Sequence, residues 1–315
     1  NVADFAAYQT VYQHIRAGNV YMDTGAGWYL ICLLLGKLGL SYAVVKMVLF
    51  FATSLLIRRT VNFFVHNYKQ RTFLWSLFLI FPALLDGVQI RFFVAEGLII
   101  FSLPYLLTEK RIDKWKFVLI TLIAISIHSS AAFYLIFLLA PITKHIRKVI
   151  FFLAVLLSGA MLVNKRMIFL LASKFINANR IERYFLSSNG VGTFGIIAYT
   201  ATIIIFIVLM RKAAVWSKGA ALKPETKRLL QLFEQLSALS MLILPLTTFD
   251  TNFFRIQRPF WLILYLEAAI MMENHCKSLR WIKKEIKHLY LGMAVVANIT
   301  YICVFNFNVI RDFLM

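Results

Sequence analysis

The chain has 315 residues, of which 61% are hydrophobic and 15% are charged, and its formal net charge is +20. This composition is too apolar for a soluble domain of that length. The positive charge does not indicate a nucleic-acid-binding protein, because the basic residues lie in short stretches between apolar segments, as in membrane proteins whose inner loops face anionic lipid.

Apolar stretches long enough to enter or cross a bilayer follow one another along the chain. We predict an all-α, polytopic membrane protein with about 10–11 hydrophobic helical segments in a single integral membrane domain over residues 1–315. The predicted segments are 26–40, 41–57, 72–85, 91–107, 117–128, 129–142, 149–163, 193–210, 229–247, 259–274 and 289–306.

The beginning of the chain differs from the rest. Residues 1–22 are polar and do not start with methionine, so we expect the natural first span to be missing. Segment 26–40 is short and carries Lys37 and several glycines, which favours a re-entrant or interfacial segment.

The stretch 117–142 decides the topology of everything after it, because it is either one long span or two short helices that meet at His128. With two helices, 22 lysines and arginines face one side of the membrane and ten face the other. With a single span the split is 16 to 16. The excess of basic residues on cytoplasmic loops favours two helices. The loops on the basic side are then 58–71, 109–116, 144–148, 211–228 and 277–287.

Two such helices of about 12–14 residues are roughly 18–21 Å long, shorter than the roughly 30 Å hydrocarbon core. A backbone break at that depth requires surrounding protein or a water-filled cavity. We therefore expect the junction at His128 to form the floor of an outward-facing cavity. The amphipathic segment 164–192 and the 249–258 loop are predicted on the same outer side, and Lys223-Pro224-Glu225-Thr226 is predicted to begin a helix at the end of the cytoplasmic loop 211–228.

Arg91 and His128 are the ionisable residues in apolar sequence that most invite a functional interpretation. Arg91 either extends to the lipid head groups or clamps an anion with its planar fork of donors. His128 either satisfies backbone groups at the break or donates to phosphate or transfers a proton. The serines that follow, Ser129 and Ser130, are predicted to cap the second helix.

Several other charged residues are secondary candidates. Glu96 lies five residues after Arg91, too far around a helix for a local pair, and Lys46 is a candidate partner. Arg255 and Arg258 share a helical face on the outer side and either bind an anion or serve as surface charge. Glu267 and Glu273 are expected to be structural.

Any of the outer carboxylates Asp4, Asp23, Asp250 and Glu182 could deprotonate an acceptor hydroxyl, and spacing alone does not choose among them. Most exposed carboxylates are simply solvated. Asp4 forms a helical row with Tyr8 and Tyr12, which allows a sugar contact but is also typical of a membrane interface. The three cysteines and six histidines lack ligand spacing, and no nucleotide or hydrolase motif is present, so we expect no metal and no cofactor.

In these residues the chain resembles the EpsG family, the Wzy-like polymerases of bacterial exopolysaccharide and capsule synthesis. The matching stretches, in order, are Asp4-Phe5-Ala6-Ala7-Tyr8, 25–40, 41–57, Gln89-Ile90-Arg91 with Ala95, Ser126-Ile127-His128-Ser129-Ser130-Ala131, and 255–265. The chain departs from the family pattern at Phe92-Phe93, where a more polar pair is expected.

The resemblance implies a bundle similar to the GT-C superfamily, with the broken helix pair at His128. It also implies a metal-independent, inverting glycosyltransferase that joins oligosaccharide repeat units carried on undecaprenyl pyrophosphate, at the outer face of the bacterial cytoplasmic membrane. The expected partners are that substrate, membrane lipids, and the flippase and chain-length regulator of the same pathway.

In this interpretation Arg91, Arg255, Arg258 and His128 bind the pyrophosphate, and His128 and Asp4 act with Arg91 in catalysis. Glu96, Asp250 and Tyr8 are secondary candidates. The alternatives are a flippase for the same lipid-linked sugar, a ligase similar to O-antigen ligases and, less favoured, an acyltransferase.

Overall fold

The computed structural model describes residues 2–20, 25–108, 110–163, 223–249, 251–274 and 280–300, together with 201, 205 and 208. Within these ranges every regular element is a helix. The α-helices are α1 Val2–Arg16, α2 Ala26–Lys37, α3 Tyr42–Phe64, α4 Tyr68–Ile80, α5 Ala83–Val88, α6 Ile90–Ser102, α7 Arg111–Ile127, α8 Ala140–Val163, α9 Pro224–Leu239, α10 Ile243–Phe249, α11 Arg258–Asn274 and α12 Arg280–Thr300. Stretches of 3₁₀ helix cover Leu103–Leu106, Ser129–Leu139, Ser240–Leu242 and Thr251–Gln257.

The chain divides into two compact units. The first comprises Asn1–Leu138 and Tyr265–Asn298, and the second comprises Leu139–Leu264 and Ile299–Met315. In the second unit α9 packs against α8 with a buried stripe at helical spacing, formed by Leu229, Leu232, Phe233 and Leu236. Such a stripe is the apolar face of an amphipathic helix.

In the first unit α3 and α6 lie side by side and run parallel. The Phe50 and Phe93 rings are 5.1 Å apart, and the Arg59 guanidinium lies over Phe101 at 5.5 Å. Between these two contacts, Gly97 packs directly against Thr53, where a Cβ on the glycine would overlap the threonine methyl. The small residue lets the two backbones approach closely, which is typical of helices that pack in a membrane.

The predicted break at His128 is confirmed. α7 ends at Ile127, and His128 has extended backbone angles of φ −142 and ψ 114 before the 3₁₀ segment begins at Ser129. The rings of Phe117 and Phe137, one in each arm, stack at 6.5 Å. In a continuous rod these residues would be more than about 30 Å apart, so the chain reverses direction at His128.

Contacts within the first unit define two ends, which we call the basic end and the Arg91 end. At the basic end, the Glu273 carboxylate accepts hydrogen bonds from the backbone N–H groups of His66 (2.9 Å) and Asn67 (3.0 Å) at the start of α4. This contact confirms the structural role predicted for Glu273. The same end contains the neighbouring segments 58–71 and 110–116, which carry eight lysines and arginines.

The Arg91 end is formed by the start of α6, the end of α7, the start of α2 and the end of α4. Arg91 contacts Ile127 here, and Gly25 lies against Ser126. Asn298 in α12 donates to the carbonyl of Ile80 at 2.7 Å, where α4 ends. Because α6 runs from this end to Phe101 beside Arg59, the two ends are separated by the length of that helix, about 20 Å.

By length and hydropathy, one continuous helical stretch in the described part of the chain is able to cross a membrane, Pro224–Leu246. The pair α2 and α3 passes the same test together and is bent by 120°, as in a broken span or a re-entrant segment. This geometry matches the re-entrant interpretation of segment 26–40. The helix start predicted at Lys223-Pro224 is confirmed, with Lys223 as the N-cap of α9.

One predicted loop is wrong. Residues 144–148 do not separate two spans, because α8 continues through them from Ala140 to Val163. Lysine and arginine are good helix formers, and Pro141 lies in the first turn, where proline is tolerated. The predicted loops 58–71, 109–116 and 277–287 lie between successive helices, but part of each is helical. α3 continues to Phe64, α7 begins at Arg111 and α12 begins at Arg280. Segment 164–192 and most of the predicted segment 193–210 lie outside the described residues, as do 301–315 and most of loop 211–228.

Candidate functional site

Three helix ends meet at the Arg91 end of the first unit: the start of α2, the start of α6 and the end of α7. Gly25 is the N-cap of α2 and has a positive φ of 96°. A Cβ at this position would lie 2.5 Å from the Ser126 carbonyl oxygen and 3.6 Å from Arg91 Nη2. Only glycine permits both this conformation and this approach, so the glycine brings α2 onto the end of α7 beside the arginine.

Arg91 is half-buried in the first turn of α6, and the last residue of α7 holds its side chain in place. Its Nε–H donates to the carbonyl oxygen of Ile127 at 2.6 Å. The last carbonyl groups of an α-helix have no N–H partner within the helix and need a donor from elsewhere. The Ile127 carbonyl is one of these groups in α7. A cation at the C-terminal end of a helix is also stabilised by the helix dipole.

His128 follows Ile127 directly and is half-buried. Its ring meets the Phe92 ring edge-on, with centroids 5.3 Å apart and planes at 86°. Its Nδ1 lies 2.7 Å from the Ser130 hydroxyl and 3.4 Å from the Ser130 backbone nitrogen. The structure therefore brings Arg91 and His128, 37 positions apart in the chain, to one place through neighbouring residues of each.

The aromatic pair that departs from the family pattern has a packing role. Phe92 packs against the His128 ring, and Phe93 lies between Phe50 and Phe78, with ring centroids 5.1 and 6.3 Å away. Phe92 and Phe93 are both buried. The pair therefore seats α6 against its neighbours at the level of the arginine.

The row of Asp4, Tyr8 and Tyr12 lies on α1, and its tyrosines face α2 and α3. Tyr8 is half-buried with its ring 6.2 Å from that of Trp28, and the Tyr12 ring is 5.7 Å from that of Tyr42. The side chain of Asp4 lies outside the described residues. Its backbone position is one turn before Tyr8 on the same stripe of the helix.

The register of α1 against α2 places the start of α1 at the level of the start of α2. The two helices run parallel, because Tyr8 contacts Trp28 and Arg16 packs against Gly36. Extending this register by one turn places the start of α1 at the level of Gly25, and a Cβ on Gly25 would lie 3.6 Å from Arg91 Nη2. The first turn of α1 and the first turn of α2 therefore share the Arg91 end.

Glu96 is completely buried in α6, deeper than Arg91. The parallel register of α3 and α6 places Glu96 level with Thr53, and it places Lys46 about two turns away, level with Gln89. The pairing of Lys46 with Glu96 stays a prediction. Gln89 is 7% exposed, and its amide oxygen has no hydrogen-bond partner among the described residues.

A cavity of about 370 Å³ lies one turn before Arg91, between α3 and α5. It is lined by Ala43, Lys46, Met47, Phe50, Phe51 and Gly87. Its walls are apolar apart from the lysine.

The two arginines of the 251–258 region belong to the second unit. Arg255 is half-buried in the 3₁₀ segment, and Arg258 opens α11 with only 1% of its surface exposed. Burial excludes the surface-charge alternative for Arg258, because a solvated charge does not lie in the interior. Asp250 lies outside the described residues.

Sequence reasoning missed two contacts of the site. The glycines in and next to segment 26–40 indicate an unusual segment, but the sequence does not show that Gly25 and Gly27 form the surface on which Ser126 packs. Ser130 is predicted to cap the second helix, whereas its hydroxyl contacts the His128 ring. The spacing of a serine two residues after a histidine at a helix end could have suggested this contact.

Within the described ranges, no group of three or more histidine, cysteine, aspartate or glutamate side chains is arranged to hold a metal ion. No curated protein and no solved structure matches the chain. The family model of the EpsG family matches residues 1–311, nearly the whole chain. The chain therefore belongs to the EpsG family.

Proposed function

We propose that the protein is a polysaccharide polymerase of exopolysaccharide or capsule synthesis. It is an inverting glycosyltransferase that joins repeat units carried on undecaprenyl pyrophosphate at the outer face of the cytoplasmic membrane. Family membership supports the pathway. The observation that carries the reaction is the pair of Arg91 and His128, held together at the break after α7, at the end of the first unit opposite to the basic end.

The exposed surface of the helices supports a lipid environment. Large apolar side chains of α3 face outward at helical spacing, including Met47, Phe51 and Leu55 with 55%, 69% and 61% of their surface exposed. Comparable stripes lie on α7, α8 and α12. A soluble monomer rarely exposes contiguous apolar surface of this extent, so lipid tails are the natural contact.

The two ends of the first unit support the orientation. The basic end carries eight lysines and arginines in 58–71 and 110–116, and cytoplasmic loops are enriched in these residues. The Arg91 end then faces outward. This orientation agrees with repeat-unit polymerisation outside the cytoplasm.

Arg91 binds the diphosphate of the donor. Its Nε is held by the Ile127 carbonyl, so the guanidinium plane is fixed before the substrate arrives. A fixed fork of donors matches two phosphate oxygens better than a flexible ammonium does. As the sugar–phosphate bond breaks, negative charge grows on the leaving diphosphate, and a preorganised cation stabilises it. The binding of the diphosphate by Arg255 and Arg258 stays a prediction from the sequence.

The remaining groups complete a single displacement. Asp4 accepts the proton of the acceptor hydroxyl, whose oxygen attacks the anomeric carbon of the donor sugar. The bond from that carbon to the phosphate oxygen breaks, and the configuration inverts. His128 donates a hydrogen bond to the departing diphosphate. The buried amide oxygen of Gln89 suits a sugar hydroxyl, because a buried acceptor without a donor is costly.

The lipid chain of the donor is proposed to lie along the cavity between α3 and α5. This cavity is one turn from Arg91 and has apolar walls, with Lys46 at the level of Gln89. An isoprenoid chain leaving the bilayer would reach the arginine along this path.

The test is a reconstituted reaction. The purified protein in lipid nanodiscs is incubated with a lipid-linked repeat unit, and products are separated by size. A polymerase gives a ladder of products and releases undecaprenyl diphosphate, and His128→Ala leaves the units unjoined on their carriers.

The alternatives predict different results. A ligase gives one addition to a different acceptor and no ladder. A flippase gives no joined product, but it moves the unit between the leaflets of a vesicle. Either result would replace the proposed function.

A further inference from the structure

Ser130 contacts the catalytic candidate His128 through two of its own groups. The hydroxyl oxygen lies 2.7 Å from Nδ1 of the ring, and the backbone nitrogen lies 3.4 Å from the same atom. Ser130 is half-buried and stands at the start of the 3₁₀ arm that folds back on α7.

These two contacts have a direction. A backbone N–H can only donate, so the nitrogen that faces it must accept. A proton on Nδ1 would point at another proton. Nδ1 therefore carries the lone pair, and the serine hydroxyl, which can donate or accept, donates to it. In a neutral imidazole with Nδ1 unprotonated, the proton is on Nε2.

The rest of the ring is held as well. The Phe92 edge contact at 86° fixes the plane of the imidazole, and the extended backbone of His128 fixes where the ring starts. Phe92 follows Arg91 in α6, and Arg91 in turn donates to the carbonyl of Ile127, the residue before His128.

We propose that Ser130 is a positioning residue that holds His128 as the Nε2–H tautomer, so that the ring donates a hydrogen bond to the leaving diphosphate and does not act as the base. This inference rests on the proposed function for its chemistry, but the tautomer itself is a property of the protein alone. In this arrangement His128 donates a hydrogen bond to the leaving diphosphate, and a carboxylate on the outer side accepts the proton of the acceptor hydroxyl.

The first arm of the test reads the tautomer directly. The full chain is labelled with ¹⁵N-histidine, reconstituted in lipid bilayers without substrate and studied by solid-state NMR near neutral pH. The signal of His128 among the six histidines is identified by its loss in His128→Ala. We expect an unprotonated Nδ1 and a protonated Nε2.

Variants at neighbouring serines provide the controls. Ser130→Ala should produce a mixture of both tautomers, and Ser130→Thr, which keeps a hydroxyl, should restore the single form. Ser129→Ala is the matched control, because Ser129 is exposed and adjacent, and it should leave the His128 signals unchanged. A wild-type ring with its proton on Nδ1, or a Ser130→Ala ring identical to the wild type, overturns the proposal.

The second arm measures polymerisation. Ser130→Ala should lower kcat about tenfold, the effect of one lost hydrogen bond, with little change in KM, and Ser130→Thr should recover most of it. A loss of activity in Ser130→Ala without a change of tautomer would mean that the hydroxyl contacts the substrate, and positioning would be wrong. A wild-type protein with the expected tautomer that joins no repeat units overturns the proposed function and leaves the ring geometry intact.

Discussion

Arg91 and Ile127 are joined by a hydrogen bond of 2.6 Å from the guanidinium Nε to the backbone carbonyl, across 36 positions of the chain. The hydrogen bond provides a donor for a carbonyl that has no partner within α7. It also fixes the plane of the guanidinium group beside His128. Two features that the sequence presents separately, a cation at the start of one helix and a break at the end of another, are thus one structural arrangement.

This relationship predicts the outcome of Arg91→Lys. A lysine ammonium can reach either the Ile127 carbonyl or a phosphate, but it does not provide a planar fork for both. We expect the rate of polymerisation to fall about 10²–10³-fold, the typical loss when one preorganised donor is removed from a charged transition state. The measurement is the rate of product formation from a lipid-linked repeat unit.

The matched control for this variant is Arg59→Lys. Arg59 belongs to the same unit and lies over the Phe101 ring at the basic end, where a lysine can make a similar contact. Its activity should stay within about twofold of the wild type. Equal activity in the two lysine variants would remove Arg91 from the reaction.

Gly25 provides a second prediction, on stability. Gly25→Ala puts a Cβ 2.5 Å from the Ser126 carbonyl oxygen and forces alanine to a φ of 96°. The strain alone costs about 1–3 kcal/mol, and the clash adds to it. We expect a lower Tm and a loss of activity, because the start of α2 must move away from Arg91.

Two other glycines separate strain from close approach. Gly39→Ala has the strain of a φ of 74° but meets nothing within 4 Å, so it should cost less than Gly25→Ala. Gly27→Ala has the overlap with the Ser126 hydroxyl without a positive φ, and adding Ser126→Ala should recover part of the loss. If Gly25→Ala is no worse than Gly39→Ala, the contact of α2 with α7 is wrong.

These contacts mark what the sequence could and could not predict. The break at His128 was predicted from the distribution of basic residues, and the structure has it, although one of the five loops in that count, 144–148, is helical. The continuity of α8 through 144–148 was not predictable, because hydropathy reports the environment of a residue, whereas helix continuity depends on backbone hydrogen bonds that lysine and arginine do not interrupt.

The site divides in the same way. Residue type singled out Arg91 and His128 as costly ionisable groups in apolar sequence. Their connection through Ile127, Phe92 and Gly25 depends on tertiary contacts with no local pattern. The roles of Arg255, Arg258, Asp4 and Asp250 stay predictions.

Asp113 gives a prediction about pH. Hydrogen bonds from Lys116 (2.9 Å) and Thr108 (2.7 Å) at the start of α7 hold the pKa of this carboxyl below its ordinary value. A lowered pKa in the folded state means that the stabilising effect is complete above the unfolded pKa of about 3.9 and is lost as the pH falls through the folded value.

The variant Asp113→Asn should therefore lower Tm at neutral pH, and its difference from the wild type should shrink below about pH 4. Tm is measured in nanodiscs across this range. A difference that stays constant with pH would show that the charge of Asp113 does not contribute.

Asp4 is the proposed base, and its position on α1 gives the last prediction. The register of Tyr8 with Trp28 and of Arg16 with Gly36 brings the first turn of α1 level with the start of α2, beside Arg91. Removing a general base typically costs about 10²–10⁴-fold in rate. We expect Asp4→Asn to lose activity in this range while the binding of the lipid-linked donor is retained, because the carboxylate acts on the acceptor.

Asp4→Glu keeps a base on a longer side chain and should recover part of the rate. Asp250→Asn is the competing variant at another carboxylate that is predicted on the outer side, and it should leave most of the activity. If Asp250→Asn is inactive and Asp4→Asn is not, the base belongs to the 249–258 region, and the role of α1 is confined to packing Tyr8 and Tyr12 against α2 and α3.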